Sequence, residues 1–137
     1  MEGLLLDFQK IIDYLSDNSL SSVEIVDNKE GQLVVKFCYN FDEDELKAAT
    51  AYSNDECEDE KEGENWYEEF FLPYLNDIAV DSAGDIIEEI SDKFNVDTQY
   101  ISYDLEEEDY KSNEFVAIFF NKGGNIEIED VLDELNI

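Results

Sequence analysis

The stretch Phe115-Val116-Ala117-Ile118-Phe119-Phe120 does most to determine the architecture of this chain. Six consecutive apolar residues are typical of a strand that is covered on both faces, because a strand with one wet face alternates between apolar and polar residues. Lys122-Gly123-Gly124-Asn125 supplies turn residues soon afterwards. We therefore predict a strand from Glu114 to Phe120, either at the centre of a sheet or at an interface. The second alternative leaves room for a homodimer.

The residues before this strand predict a helix and a further strand. Ser82-Ala83-Gly84-Asp85 resembles a capping box, which predicts that a helix starts there. Thr98 to Leu105 follows as a strand, and the polar run from Glu106 to Asn113 joins the two strands into a hairpin. The apolar residues of the helix recur at helical spacing: Ile86, Ile87, Ile90 and Phe94.

The same order of elements occurs once before, in residues 1–40. An apolar helical stripe runs from Leu4 to Leu15, and strands are predicted at Ser21 to Asp27 and at Gln32 to Asn40. A last helical stripe covers Ile128 to Leu135. These patterns predict an α+β fold, in which two helix-hairpin units supply an antiparallel sheet of about four strands packed with helices.

Between the two units lies an acidic insert at residues 41–65, which we expect to be mobile or weakly helical in isolation. Trp66 to Leu75 resumes helical spacing, and Pro73 is expected to kink this helix or to limit its first turn. Cys38 in a strand and Cys57 in the insert predict one core thiol and one exposed thiol, without a disulfide. The length suits one domain over residues 1–137, with the insert between the units at 1–40 and 66–137.

The charge of the chain is extreme for a sequence that we expect to fold. Eight Lys stand against 38 Asp and Glu, neither His nor Arg occurs, and the formal net charge is −30. Disordered acidic proteins are poor in aromatic residues, whereas 13% of this chain is Phe, Tyr or Trp. Because uncompensated charge raises the free energy of the compact state, this imbalance favours a function that uses it, with a strongly basic protein as the partner.

The missing residue types exclude several chemistries. Without His there is no imidazole base or metal ligand, and without Arg there is no guanidinium clamp for phosphate. Gly123-Gly124 lacks the spacing of a phosphate-binding loop, and the acidic runs lack the glycine and the ligand series of an EF-hand. The carboxylate pair of a glycosidase needs a set separation that no sequence pattern here indicates. We therefore expect a non-enzymatic protein with no cofactor and no metal site.

The cell compartment follows from hydropathy and charge. No apolar run approaches the roughly 20 residues needed to cross a bilayer, and Met1 to Asp7 lacks the basic region of a signal peptide. We expect a cytoplasmic protein with no membrane partner. Direct binding of DNA or RNA is also disfavoured, because nucleic-acid affinity depends on Lys and Arg neutralising phosphates.

The spacing of the acids indicates what the charge is for. Duplex DNA carries one negative charge per about 1.7 Å of axis, and carboxylates along helices and loops can present a comparable field. Residues four apart on a helix lie about 5–6 Å apart, so Glu60, Glu64 and Glu68 would form a row. In size, acidity and aromatic content the whole chain resembles the acidic DNA-mimic inhibitors, which include phage anti-restriction proteins and many anti-CRISPR proteins. The resemblance implies a non-catalytic inhibitor that occupies the nucleic-acid channel of a nuclease or other DNA-binding protein.

The site residues are predicted from the acidic runs themselves, because DNA mimics share no single fold from which residues can be transferred. Aromatic residues beside the runs are expected to slow dissociation of the partner, and the alternative for them is a place in the core. The acidic candidates are Asp42, Glu43, Asp44, Glu45, Asp55, Glu56, Glu58, Asp59, Glu60, Glu62, Glu64, Glu68, Glu69, Glu106, Glu107, Glu108 and Asp109. The aromatic candidates are Tyr52, Trp66 and Tyr67.

Two other functions fit the same composition. An immunity protein or antitoxin that neutralises a basic toxin nuclease would also be small and acidic, and shape-specific contacts would select its one partner. The second alternative is an acidic domain with no electrostatic partner, whose carboxylates are simply solvated.

Overall fold

An antiparallel sheet with helices on both faces forms the architecture of the chain, which the computed structural model describes over residues 8–18, 20–29, 31–124 and 126–135. The fold is α+β, as predicted. In chain order the elements are α1 (Phe8–Asp17), β1 (Leu20–Lys29), β2 (Gln32–Asn40), α2 (Glu43–Glu56), a π-helix (Trp66–Phe71), α3 (Leu72–Phe94), β3 (Val96–Ser102), β4 (Ser112–Asn121) and α4 (Ile128–Leu135).

The two predicted helix-hairpin units meet at the centre of the sheet. The strand order is β1-β2-β4-β3, so each unit contributes one hairpin, and the last strand of each hairpin lies inside. The strands β2 and β4 pair antiparallel from Gln32 opposite Phe120 to Asn40 opposite Ser112. Among the predicted strands, β2 has the bounds expected, whereas β1 and β4 extend beyond theirs and β3 starts and ends earlier.

The strand β4 is apolar on both faces because both faces are covered. Successive side chains of a strand point to opposite sides, and Phe115 and Phe119 are buried in the core under the long helices. Val116 and Ile118 are buried on the other side, in the cluster that contains Val131 of α4. Phe115–Phe120 is therefore a central strand, the first of the two alternatives.

The helix α3 runs unbroken for 23 residues, so the predicted helix start at residues 82–85 is wrong. Pro73 lies in the first turn of α3, at the point where this helix continues directly from the π-helix. Gly84 does not mark a helix end but allows close packing, because the Tyr100 hydroxyl lies 2.6 Å from the place where a Cβ would stand. Neither α3 nor any other helix among the described residues is both long and apolar enough to cross a bilayer. The predicted stripe before Phe8 lies outside the described residues.

The helix α2 occupies more than half of the acidic insert. The Asp42 carboxylate accepts a hydrogen bond from the Glu45 N–H at 2.8 Å, and the Glu45 carboxylate accepts one from the Asp42 N–H at 3.0 Å. This capping box satisfies two amides at the start of the helix. Ala49 and Ser53 lie buried on the inner side of α2, which anchors the helix to the core.

The two thiols differ from their predicted places. Cys57 is buried, and its N–H donates to the Ser53 carbonyl at the end of α2, so the prediction of an exposed thiol in the insert is wrong. Cys38 is half-buried in the sheet, where burial, Glu114 and Asp109 raise the pKa of its thiol. A raised pKa reduces the thiolate fraction, so Cys38 is a poor nucleophile.

Candidate partner-binding surface

A stack of aromatic rings at the π-helix fixes the position of α2. Hydrogen bonds in a π-helix join residues five apart, and the N–H of Leu72 accordingly donates to the Tyr67 carbonyl. This repeat places Trp66 over Phe71, with ring centroids 4.7 Å apart and planes 17° apart. The indole Nε1–H donates to the Asn54 side-chain oxygen at 3.0 Å, which holds the end of α2 against the stack.

The loop between β3 and β4 supplies one more ring to the stack. Tyr110 meets Phe71 edge-on, with centroids 4.9 Å apart and planes 88° apart. It also lies 6.3 Å from Tyr67 between centroids. The Lys111 carbonyl accepts a hydrogen bond from the Phe41 N–H at 3.0 Å, so the loop is tied to the residue that precedes the α2 cap.

Between α2 and these rings lies an open groove with a volume of about 340 Å³. Phe71 and Tyr110 form one wall. The other wall is a single face of α2, as the spacing of its residues indicates. Those residues are Leu46, Lys47, Thr50, Ala51 and Asn54.

The polar groups of the α2 wall are largely satisfied within the protein. The Thr50 hydroxyl donates to the Leu46 carbonyl at 3.0 Å, which is a bond within the helix. The Asn54 oxygen accepts the indole N–H of Trp66. What the groove offers to a ligand is therefore mainly apolar surface, with the Lys47 ammonium as its one charged group.

Acidic residues flank the lining of the groove along the chain, although none of the lining residues is itself acidic. Glu43 precedes Lys47 by one helical turn, Asp55 follows Asn54, and Asp109 precedes Tyr110. Burial raises the pKa of Tyr67 above the usual value for tyrosine, and Tyr110, Glu62 and Glu107 raise it further. Each of the three predicted acidic runs, at residues 42–45, 55–69 and 106–109, thus begins or ends next to a residue of the lining. We call the groove and these runs the groove surface.

No protein-family model, curated protein or solved structure matches this chain. The chemistry of the groove surface therefore carries the functional argument. Within the described residues, no group of three or more acidic or thiol side chains is arranged to hold a metal ion.

Three of the predicted acids take part in the fold. Asp42 and Glu45 form the capping box, and Glu45 also accepts the Tyr39 hydroxyl at 2.7 Å. Asp59 accepts the side-chain amide of Asn65 at 2.7 Å. The other predicted acids are exposed, and the part of the chain that the structure describes gives their carboxylates no hydrogen-bond partner: Glu43, Asp44, Asp55, Glu56, Glu58, Glu60, Glu62, Glu64, Glu68, Glu69, Glu106, Glu107, Glu108 and Asp109.

The predicted aromatic residues lie at three depths. Trp66 is 2% exposed, so it supports the groove from behind and presents no surface to a partner. Tyr67 is half-buried. Tyr52 is 40% exposed and stacks on Tyr74 with centroids 4.9 Å apart, outside the groove lining.

A second acidic surface was missed from the sequence. Asp77, Asp81, Asp85, Glu88 and Asp92 recur at three- or four-residue intervals along α3, and all five are exposed. We call this row the α3 stripe. The spacing would have revealed it, but the predicted helix start at residues 82–85 divided the row.

The wall of the groove was missed as well. Tyr110 comes from a loop without periodicity, and Thr50 and Ala51 are ordinary helix residues, so no local signal marks them as neighbours. The contact of Phe71 with Tyr110 joins residues 39 positions apart.

Proposed function

We propose that this protein is a non-catalytic inhibitor that presents DNA-like charge to the basic groove of a nuclease or other DNA-binding protein, as anti-CRISPR and anti-restriction proteins do. One observation carries the proposal: three acidic runs that are distant in sequence each adjoin a residue that lines one apolar groove, and most of their carboxylates have no role in the fold. Such an arrangement combines a long-range attraction for basic proteins with a place for close contact.

The ion pairs within the described part of the protein involve few of its charges, which supports this proposal. Lys122 lies 3.9 Å from Asp97, an exposed pair of the kind that adds little stability. Lys47 forms no ion pair with any described residue. Mutual repulsion among the remaining acids raises the free energy of the free protein, and a basic partner would relieve it. The same charge would accelerate association with a basic partner, since electrostatic steering raises association rates by about 10- to 1,000-fold.

Because a DNA-binding target of this kind works in the cytoplasm, we propose the same compartment for the inhibitor. The complex should be stoichiometric, and the inhibitor should leave it unchanged. Neither nucleic acid nor membrane is expected as a direct partner of this surface.

The test is capture of a partner on the immobilised protein from a nuclease-treated bacterial lysate, followed by elution with duplex DNA. The proposal expects a basic nuclease or DNA-binding protein that duplex DNA displaces. A protein that duplex DNA leaves in place would contradict mimicry. The matched control carries Glu58→Gln, Glu60→Gln, Glu62→Gln and Glu64→Gln, which removes four exposed charges of the groove surface and should retain less of the partner.

The groove favours a second candidate, an immunity protein or antitoxin that neutralises one basic toxin nuclease. An apolar cavity beside charge supplies the shape-specific contacts that select one partner. The same capture distinguishes the two, because an immunity protein can cover a surface of the toxin away from its DNA channel and then resists elution by DNA. Recovery of no basic partner would leave the acidic domain without an electrostatic partner.

A further inference from the structure

We propose that the groove receives one large apolar side chain from a segment of the partner that carries Lys or Arg on both sides of it. This inference rests on the proposed function in one respect: the segment belongs to the same basic protein. It adds a contact that charge mimicry alone does not require, because a phosphate-like field needs no apolar cavity.

The lining of the groove selects an apolar group. The Thr50 hydroxyl and the Asn54 oxygen already have partners within the protein. Leu46, Ala51 and the rings of Phe71 and Tyr110 supply most of the surface that remains, and Lys47 is its charged exception. Away from Lys47, a polar side chain would find few hydrogen-bond partners to replace its water, whereas an apolar one gains by leaving water.

The groove is large enough for one large side chain, and its wall is preformed. Its volume of about 340 Å³ lies at the lower end of the range for ligand pockets, about 300–1,000 Å³. Phe71 is fixed between Trp66 on one side and Tyr110 on the other. A preformed wall binds without the cost of ordering, which is the usual property of the pocket at the centre of an interface.

The charge around the groove selects basic neighbours for that side chain. Glu43 lies one helical turn before Lys47, and Asp109 adjoins Tyr110, so α2 and the loop each carry an exposed acid beside the lining. An acidic segment would be repelled here. Lys47 is the exception, and its ammonium should turn the basic residues of the segment toward the loop at 106–109 and the insert.

The test uses two synthetic peptides that differ at one position. Each has three lysines on both sides of a central residue, which is Leu in one peptide and Ser in the other. Titration of the isotope-labelled protein, followed by NMR, gives the affinity and the residues affected. We expect the Leu peptide to bind about tenfold more tightly, which corresponds to about 1.4 kcal/mol. It should move the signals of Thr50, Ala51 and Tyr110, and the Ser peptide should not.

Two matched variants of α2 locate the effect. Ala51→Phe fills the groove, while Ala48→Phe places the same ring on an exposed residue of the same helix that is not part of the lining. Ala51→Phe should abolish the preference for the Leu peptide and keep the salt-dependent binding common to both peptides. Ala48→Phe should leave the preference unchanged, and circular dichroism verifies that both variants fold.

The outcomes separate this inference from the proposed function. Equal affinity for the two peptides, with the groove signals unmoved, would overturn the groove contact and leave the electrostatic attraction intact. If neither peptide bound at low salt, the attraction for basic segments would fail, and the proposed function would fail with it.

Discussion

The groove surface and the α3 stripe are both strongly acidic, but they differ in what accompanies the charge. The stripe has the more regular row, with five exposed carboxylates over about 22 Å of helix. The average spacing of about 5.6 Å per charge is wider than that of one DNA strand, which has one charge per about 3.4 Å. The groove surface is less regular, but it has an apolar cavity and rings that are fixed by stacking.

This difference indicates separate roles for the two surfaces. Exposed charges attract a partner over distance and are screened by salt. Tight complexes depend on a few buried anchors, most often aromatic or large apolar groups in well-packed pockets. The stripe offers exposed charge, and the groove surface offers both exposed charge and a pocket for an anchor. We therefore propose that a partner would contact the groove surface and that the stripe would contribute long-range steering.

The largest effect should come from removing the same charge on each side in turn. The groove variant is the set Glu58→Gln, Glu60→Gln, Glu62→Gln and Glu64→Gln, and the stripe variant is Asp81→Asn, Asp85→Asn, Glu88→Gln and Asp92→Asn. Exposed ion pairs are worth up to about 1 kcal/mol each. We expect the groove variant to lose about ten- to a hundredfold in affinity for the captured partner and the stripe variant about threefold, measured by calorimetry.

Both variants remove four charges, so each controls for the other. Equal losses would mean that net charge decides and position does not, which would contradict the assignment of the contact to the groove surface. A larger loss in the stripe variant would transfer the contact to α3.

A smaller effect, on stability, distinguishes acids that stabilise the helix α2 from acids that only add charge to the groove surface. Asp42→Ala removes the helix cap of α2 and should lower the free energy of unfolding by about 1 kcal/mol. The melting temperature should fall by about 3 °C. Asp44→Ala, on the exposed neighbour that has no part in the cap, should change stability little, because the lost attraction to the helix dipole is offset by relief of repulsion.

Thermal unfolding followed by circular dichroism measures both Asp42→Ala and Asp44→Ala. If the two variants melted alike, the capping box would contribute nothing to α2. The contrast also matters for binding experiments, because neutralising the whole run at 42–45 would disturb the groove wall along with its charge.

The smallest effect is a change in the pKa of one tyrosine at each surface, Tyr67 at the groove surface and Tyr100 beside the α3 stripe. Burial raises the pKa of Tyr100 first, with Glu88, Asp81 and Asp85 adding to it, and Tyr67 responds to burial, Tyr110, Glu62 and Glu107. Because burial is the largest cause in both, each pKa should fall only part of the way toward 10.0 when acids are removed. The groove variant should lower the pKa of Tyr67 but not that of Tyr100, and the stripe variant should do the reverse.

Titration of the ring signals by NMR measures these changes. The sign for stability follows from the raised pKa. The folded state holds the phenol proton more tightly than the unfolded state, so the contribution is complete below pH 10 and is lost as the pH rises through the folded-state value. Tyr67→Phe and Tyr100→Phe should each make the alkaline loss of stability smaller. A shift of both tyrosines in both variants would mean that the two surfaces do not act separately.

The sequence predicted the sheet better than the site. The bounds of β2 and the covered centre at Phe115–Phe120 follow from alternation and from a continuous apolar run, which are local signals. The continuity of α3 does not follow from local signals. Residues 82–85 match the pattern of a helix start, whereas the contact that explains Gly84, with Tyr100, is a tertiary one. The acidic runs were predicted, but the groove depends on Tyr110 reaching Phe71 across the fold, and no pattern within either segment indicates that contact.

The central claim is that a basic partner is held where DNA would otherwise bind. Displacement of labelled duplex DNA from the captured partner tests it most directly, with the protein added at increasing concentration and at several salt concentrations. We expect complete, stoichiometric displacement that weakens as salt rises. The groove variant should displace less DNA than the stripe variant does. A ternary complex in which DNA and this protein bind the partner together would contradict the claim.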